Sequence, residues 1–269
     1  MTVKGTIPSY WTKSYFRRRN SKEKSWRVRA EPEKVFLQKV RNSLGKNLVL
    51  LDIGCGDGNT VKILANRVRE AYGVDSAPKL VEIARKGAPP NVHFKTADAR
   101  RLPFPSQYFD RVICQRGPAT ENEEFAREMA RVLKRGGKYV GIHIGERDKE
   151  NIKRIFRRGQ LYPSLVTKKS EARRQISLLK KLGFRSARAE ELNPTEYFAT
   201  LRDLIARMER VPMIPHFNSM RDRRFLDRVR KELTDEHGIR TNSHRVIISA
   251  DKWRRRIFVR LLMMLTCGR

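Results

Sequence analysis

The hydrophobic pattern between residues 47 and 145 switches repeatedly between two periods. Short continuous apolar runs are typical of strands buried on both faces, whereas apolar residues every three to four positions are typical of amphipathic helices. One such run predicts a strand at 47–53, and further short strands are predicted at 71–75, 91–98, 108–115 and 138–145. The helical pattern occupies 31–45, 59–68, 76–87 and 120–137. Strands that alternate with helices through short links indicate a parallel sheet covered by helices on both faces.

The pattern is less regular after residue 146. A helix is predicted at 170–184, a sixth strand at 185–192 and a seventh at 243–251. The segment between these two strands, 194–240, contains two helical stretches, 199–211 and 219–233. The predicted fold class is therefore α/β: a Rossmann-like, doubly wound, mostly parallel seven-stranded sheet with a helical insertion between the last two strands.

Composition shifts divide the chain into three parts. The arm 1–30 has nine Lys and Arg residues against one acid, with aromatic residues between them, and precedes a main domain at 31–251. The tail 252–269 is basic and then apolar, and its apolar part is shorter than the roughly 20 residues of a membrane-spanning helix. The tail is expected to pack on the domain or fray, and the alternative is peripheral contact with an anionic membrane surface.

The charge and the cysteines limit which partners, metal sites and cellular compartment are expected. A net charge of +31 and a pI near 10.8 favour polyanionic partners such as RNA, although a basic surface on an ordinary enzyme explains them equally well. The three cysteines are far apart and show no zinc-ligand spacing, so neither a disulfide framework nor a metal site is expected. The first residues contain no apolar run typical of a secretory signal. A cytoplasmic location is the resulting expectation.

The stretch LDIGCGDG (51–58) follows the first predicted strand and carries three glycines in a G-x-G-x-G pattern. A dinucleotide fingerprint needs its third glycine at position 59, which is Asn59, and no Gly-Lys-Ser/Thr sequence follows for a phosphate loop. Asp52 beside the loop would repel a pyrophosphate and attract a cation. A bare tight turn remains the simplest alternative for an isolated glycine cluster.

Polar residues also end the next predicted strands. Asp75, Asp98 and Gln115 fall at successive strand ends, which meet at one edge of a parallel sheet. A carboxylate about 20 residues after a glycine loop can accept hydrogen bonds from ribose hydroxyls, and another can accept from an exocyclic amine such as that of adenine. S-adenosylmethionine (SAM) combines an ammonium group, a sulfonium, a ribose and an adenine, so it suits these residues.

The sequence resembles the class I SAM-dependent methyltransferases of the "methyltransferase type 11" group. Four stretches carry the resemblance: LDIGCGDG (51–58), GVDSAPKLVEIAR (73–85), ADARRLPFPSQYFDRVICQRG (97–117) and RVLKRGGKYV (131–140). The resemblance implies that a set of nine residues binds the cofactor. They are Asp52, Gly54, Gly56 and Gly58 at its methionine end, Asp75 and Ser76 at the ribose, Asp98 and Ala99 at the adenine, and Gln115 below the sulfonium.

The methyl acceptor is less defined than the donor. Methyl transfer from a sulfonium needs orientation more than a dedicated catalytic residue, so none is assigned. Three residues are candidates for the acceptor pocket: Arg116, His143 and Tyr197, for which a solvated arginine, a structural strand histidine and a packed tyrosine are the alternatives.

Absent motifs and charge point to different acceptors. CQRGPA (114–119) lacks the proline-rich motif of base amino-methyltransferases and the Pro-Cys of cytosine-C5 enzymes, which favours a small-molecule acceptor. The basic surface favours the alternative, an rRNA or tRNA methyltransferase. A binding protein that holds the cofactor without transferring methyl is a minor third possibility.

Overall fold

The computed structural model describes residues 24–28, 31–117, 123–158, 170–211 and 213–253. The predicted basic arm is thus described only at 24–28, and the predicted tail only at 252 and 253. Within the described ranges no helix is both long and apolar enough to cross a membrane.

Strands and helices alternate along most of the described chain. The strands are β1 (Ser25–Val28), β2 (Val49–Ile53), β3 (Glu70–Asp75), β4 (Val92–Thr96), β5 (Phe109–Gln115), β6 (Leu133–Ile144), β7 (Phe184–Leu192), β8 (Thr195–Phe198), β9 (Thr234–Asp235), β10 (Gly238–Asn242) and β11 (Arg245–Lys252). The helices are α1 (Pro32–Arg41), α2 (Asn59–Leu64), α3 (Pro78–Arg85), α4 (Glu123–Val132), α5 (Glu150–Phe156), α6 (Glu171–Lys181), α7 (Leu201–Arg210) and α8 (Arg223–Leu233).

The central sheet has seven strands in the order β4-β3-β2-β5-β6-β11-β7. The five strands from β4 to β6 run parallel, and β11 is antiparallel to both β6 and β7. The strand order reverses direction between β2 and β5, and ligands of open α/β sheets bind in the crevice at such a reversal. The predicted α/β fold is confirmed, and its topology places the crevice beside the glycine loop.

The central strand β2 explains why its sequence is continuously apolar. All five of its residues are buried, because helices cover the sheet on both faces. Leu51 packs in one layer with Met129 of α4, whereas Leu50 packs in the other layer with Phe36 of α1 and Val61 of α2. These two layers hold β2 rigidly, and the loop that follows it is therefore anchored at its first residue.

The helix predicted at 120–137 ends earlier than the sequence suggested. The structure ends α4 at Val132, and β6 begins at Leu133, which pairs with Phe109 ahead of a register shift. Gly136 within this stretch has a left-handed φ of 80°, and a side chain on Gly137 would lie 3.0 Å from the Asp110 carbonyl oxygen. The two glycines thus permit an irregular strand where helical periodicity favoured a longer helix.

The insertion between β7 and β11 is not purely helical, contrary to the sequence prediction. It contains α7 and α8 but also β8, β9 and β10, which join β1 in a second, antiparallel sheet of order β1-β8-β10-β9. The helices pack with α5 around a separate apolar cluster that includes Phe156, Phe198 and Leu204. One strand from before α1 therefore ties the start of the described chain to the insertion.

Candidate functional site

The glycine loop joins β2 to α2 in a conformation that side chains disfavour. Gly54, Gly56 and Gly58 have φ angles of 77°, 56° and 74°, all in the left-handed region where glycine has no steric penalty. No described atom lies within 4 Å of the position that a Cβ on Gly56 would occupy. The loop is therefore open at its centre, where its backbone can approach a ligand closely.

The third glycine is required at 58 by packing as well as by φ. A Cβ on Gly58 would lie 2.9 Å from the Cβ of Ala84 in α3 and would collide with the ring of Phe94 in β4. This contact explains why the loop departs from the dinucleotide spacing, in which the glycine would fall one residue later. The turn after β5 also lies close, because a Cβ on Gly117 would be 3.4 Å from the Gly54 Cα.

Asp75 at the end of β3 holds the loop and the following turn. One carboxylate oxygen accepts a hydrogen bond from the Gly56 N–H at 2.9 Å, and the other accepts from the Ala77 N–H at 2.9 Å. A carboxylate has about four acceptor positions, so the two remaining ones are available to hydroxyl groups of a ligand. The neighbouring Ser76 is exposed. The sequence expectation for Asp75 and Ser76 is compatible with this geometry.

Asp52 is a buried carboxylate with one oxygen that has no hydrogen-bond partner among the described residues. Its side chain is 1% exposed, and its Oδ1 makes no hydrogen bond to any described residue. Burial and the nearby negative charge of Asp75 raise the pKa of Asp52 to about 8. A cationic ligand group beside the loop would supply the missing partner, whereas a phosphate would add repulsion.

At the expected adenine end, the Asp98 carboxylate is bonded to Arg100. The Arg100 side chain and backbone N–H donate four hydrogen bonds to it, between 2.5 and 3.1 Å. These bonds lower the pKa of Asp98. Ala99 is half-buried against the core layer of β2. The predicted contact of Asp98 and Ala99 with an adenine stays a prediction.

Gln115 lies in the crevice between β2 and β5, as expected. Its side-chain oxygen accepts a hydrogen bond from the Thr60 hydroxyl at 2.8 Å, while its amide NH2 donates to no described residue. Thr60 is on the first turn of α2, directly after the glycine loop. The sequence reasoning missed Thr60, although its position two residues after Gly58 was a local signal.

The three acceptor-pocket candidates lie in two places. Arg116 follows β5 with an exposed side chain and a left-handed φ of 60°, and its N–H donates to the Ile142 carbonyl oxygen at 2.8 Å, so its backbone lies beside His143 of β6. His143 is buried, and its ring nitrogen lies 3.2 Å from the Tyr139 hydroxyl across Gly141. Tyr197 lies in β8 of the second sheet, where its hydroxyl donates to Asp235 at 3.2 Å. The contacts of His143 and Tyr197 fit the structural alternatives for both residues.

A group of charged residues that the sequence did not indicate lies beside the carboxyl end of β6. We call it the buried ion cluster, and it consists of Arg27, Glu33, Asp148, Lys149, Lys153, Glu196 and Arg245. Its members come from β1, α1, the β6–α5 segment, α5, β8 and β11, up to about 220 residues apart in sequence. Such a spread leaves no local motif that a sequence could reveal.

The strand order, the glycine loop at the crevice and the acidic strand ends define the class I methyltransferase fold. Residues 50–137 match the model of a family described as "Methyltransferase domain". This stretch is therefore a methyltransferase domain, which confirms the resemblance drawn from the motifs.

Individual relatives support the same assignment. The uncharacterized methyltransferase YcgJ of Bacillus subtilis is 37% identical over 98 residues, which are 34% of this chain and 38% of the relative. Its crystal structure superposes with a TM-score of 0.60 at 21% identity, covering 82% of this chain and 99% of that one. The ubiquinone/menaquinone biosynthesis C-methyltransferase of Campylobacter jejuni is 30% identical over 39% of this chain and 48% of its own length. The sequence matches thus span less than half of these curated relatives.

A further solved structure has a bound ligand. The geranyl diphosphate C-methyltransferase of Streptomyces coelicolor, solved with S-adenosyl-L-homocysteine, superposes with a TM-score of 0.51 at 16% identity. The superposition covers 82% of this chain and 77% of that one. At this identity the similarity shows the fold alone.

Proposed function

We propose that this chain is a SAM-dependent methyltransferase that acts on a small molecule. The observation that carries the proposal is a glycine loop, open at Gly56, beside the buried and unpartnered carboxylate of Asp52. A sulfonium or ammonium group compensates such a carboxylate, and a pyrophosphate does not. The fold and the methyltransferase domain at 50–137 are consistent with this choice.

The residues of the crevice would divide the binding of SAM among them. Asp75 would accept hydrogen bonds from the ribose hydroxyls through its free acceptor positions, while Asp52 would face the cationic methionine end. Gln115 would donate its free amide NH2 to the same end, because Thr60 already fixes its oxygen. When bound, SAM supplies a methyl group on a sulfonium, which is the electrophile of the reaction.

The chain itself would contribute orientation more than proton transfer. The loop and strand ends are anchored by buried strands, so they hold their groups in fixed positions. Fixing two reactants in line can lower the barrier by roughly 7–11 kcal/mol without a general base. The buried His143 is bonded to Tyr139, and therefore we assign it no catalytic role.

The acceptor is proposed from the relatives. The names of the C. jejuni enzyme and of the S. coelicolor enzyme describe C-methyl transfer in ubiquinone and menaquinone biosynthesis and to geranyl diphosphate, which are small molecules. We extend that class of acceptor, and not those particular molecules, to this chain. A cytoplasmic location is part of the same proposal.

Calorimetry with SAM tests the cofactor assignment. Wild type is expected to bind SAM, and Asp75→Ala is expected to bind about 10- to 100-fold more weakly, because hydrogen bonds to a charged group each contribute about 1.5–3 kcal/mol. Asp227→Ala, an exposed aspartate of α8, is the matched control and should bind as wild type does. Absence of wild-type binding, or equal binding by Asp75→Ala, would refute the assignment.

Methyl incorporation separates the three functions. Radiolabelled SAM with fractionated cell extract should place label in the small-molecule fraction. Label in RNA would replace the proposed acceptor, and binding of SAM without any transfer would indicate a non-catalytic cofactor-binding protein.

A further inference from the structure

Three ion pairs account for the carboxylates of the buried ion cluster. Arg27 lies 2.6 Å from Glu33, Arg245 lies 2.6 Å from Asp148, and Lys149 lies 2.5 Å from Glu196. These pairs are cross-linked by longer contacts, such as 3.7 Å between Arg245 and Glu33. Each carboxylate of the cluster therefore already has a cation of its own.

Lys153 is the cation of the buried ion cluster that takes part in none of these three pairs. It is 3% exposed, and no described residue lies within hydrogen-bond or ion-pair distance of its ammonium group. Burial and the positive charges of Lys149 and Arg245 lower its pKa, while Asp148 and Glu150 oppose this effect. Glu150 is itself paired with Arg154 at 2.5 Å. The four cations of the cluster exceed its three carboxylates by one positive charge. A buried charge of this kind requires a counter-charge or loses its proton.

A second polar group in the same cluster is also incompletely bonded. The Nε of Arg245 is buried and donates no hydrogen bond to a described residue, although its Nη1 binds Asp148 and the His244 carbonyl oxygen. That Nε faces Glu33 Oε1 at 3.7 Å, so it is oriented towards a carboxylate of the cluster. Lys153 is therefore the group of the cluster to which an added oxyanion would bind.

The cluster lies next to the proposed methyl-transfer site. Arg245 pairs with Ile144 at the carboxyl end of β6, and Gln115 pairs with Ile142 of the same strand. Adjacent strands lie roughly 4.8 Å apart, so β11 is about 10 Å from β5 across the sheet. Arg116, directly after Gln115, is close enough to Glu33 to lower the pKa of that carboxyl. The cluster therefore lies at the carboxyl ends of the strands, near the residues that follow β5.

We propose that the methyl acceptor carries an anionic group, a carboxylate or a phosphate, which binds Lys153. This inference rests on the proposed function, and it defines the acceptor as an anion with a nucleophile a few bonds away from its charge. Lys153 would position the acceptor and would not take part in the bond changes.

Model anions test the site with the full-length protein. The protein is first saturated with S-adenosylhomocysteine, which prevents turnover, and binding of that ligand is recorded by calorimetry. Benzoate and phenyl phosphate are then titrated separately, with benzyl alcohol as the neutral control. The signal is the Cε resonance of Lys153 in 13C-lysine-labelled protein, assigned by its loss in Lys153→Met.

The expected result is specific to one lysine. At least one of the two anions should bind wild type and raise the pKa of Lys153, and benzyl alcohol should do neither. Lys153→Met should weaken binding of that anion about 10-fold or more, Lys153→Arg should largely restore it, and the exposed-lysine control Lys180→Met should leave it unchanged. Which anion binds distinguishes a carboxylate acceptor from a phosphate acceptor.

Anion binding and S-adenosylhomocysteine binding together show which proposal fails. If wild type binds S-adenosylhomocysteine but binds neither anion, or binds them equally well after Lys153→Met, the anionic acceptor is wrong and the cofactor assignment stands. If wild type does not bind S-adenosylhomocysteine, the proposed function fails first. Lys153→Arg keeps the test valid if Lys153→Met does not fold, because loss of anion binding without loss of S-adenosylhomocysteine binding in a charge-preserving variant also contradicts the proposal.

Discussion

At the scale of single residues, Asp52 should make binding of the cofactor depend on pH. Its pKa of about 8 means that the carboxyl is mostly protonated at pH 7 in the free protein. A cationic ligand group favours the ionised form, so binding of SAM at pH 7 should release close to one proton, and affinity should rise as pH rises towards 8. Calorimetry in buffers of different ionisation enthalpy measures that proton directly.

Comparison with Asp52→Asn isolates this effect, because the titration of SAM itself is common to both proteins. The variant should release no corresponding proton and should lack the extra rise in affinity below pH 8. Asp57→Asn in the same loop should behave like wild type. The raised pKa also implies that the native state keeps a proton that the unfolded chain loses, so the Asp52 contribution to stability should fall as pH rises from about 4 to about 8, and this fall should be absent in Asp52→Asn. Equal proton release by wild type and Asp52→Asn would contradict the assigned ionisation.

The difference between Asp52 and Lys153 shows what a sequence reveals about single residues. Asp52 was predictable because it lies two residues before Gly54 in one contiguous motif that follows an apolar run. Lys153 was not, because its charge balance depends on Arg245, which is near in space and distant in sequence, as well as on the nearby Asp148 and Lys149. Asp98 is an intermediate case: its place at a strand end was predicted, and its capture by Arg100 was not.

At the scale of elements, α7 depends on a capping box that also fixes β1. The Thr200 hydroxyl accepts from the Asp203 N–H at 3.2 Å, the Asp203 carboxylate accepts from the Thr200 N–H at 3.0 Å, and its other oxygen accepts from the Lys24 N–H at 3.0 Å. Thr200→Ala should cost about 1 kcal/mol of stability, because it leaves a helix N–H without its acceptor. That loss corresponds to a fall in Tm of about 2–4 °C.

Thermal unfolding of three variants checks this prediction. Thr200→Ser retains the hydroxyl and should be close to wild type, and Thr234→Ala, which removes an exposed hydroxyl in β9, should have little effect. A Tm for Thr200→Ala equal to that of Thr234→Ala would show that the cap does not stabilise the insertion.

The sequence predicted the central strands far better than those of the insertion. β2 is a nearly continuous apolar run, and β5 contains the apolar run Val112–Cys114, so the burial of both strands by flanking helices is a local property of the sequence. β8 has only four residues and β9 only two, and both are stabilised by pairing with partners that are distant in sequence. For β8 the partners are β1, about 170 residues earlier, and β10, about 40 residues later, so its surroundings could not be read from its own pattern.

At the scale of the whole molecule, the net charge of +31 predicts RNA binding that is separate from catalysis. Each phosphate contact releases counterions, so affinity for RNA should fall linearly on a log–log plot against salt concentration. Arg223→Gln with Lys231→Gln, two exposed residues of α8, should reduce the slope if that face contacts RNA, and should leave binding of SAM unchanged. Fluorescence anisotropy with an unstructured RNA measures the slope.

With labelled SAM the bound RNA should remain unmethylated, because the charge that attracts RNA is spread over the chain and does not place a base at the crevice. Methyl incorporation into RNA that persists at physiological salt would instead make RNA the acceptor and the basic surface its binding site.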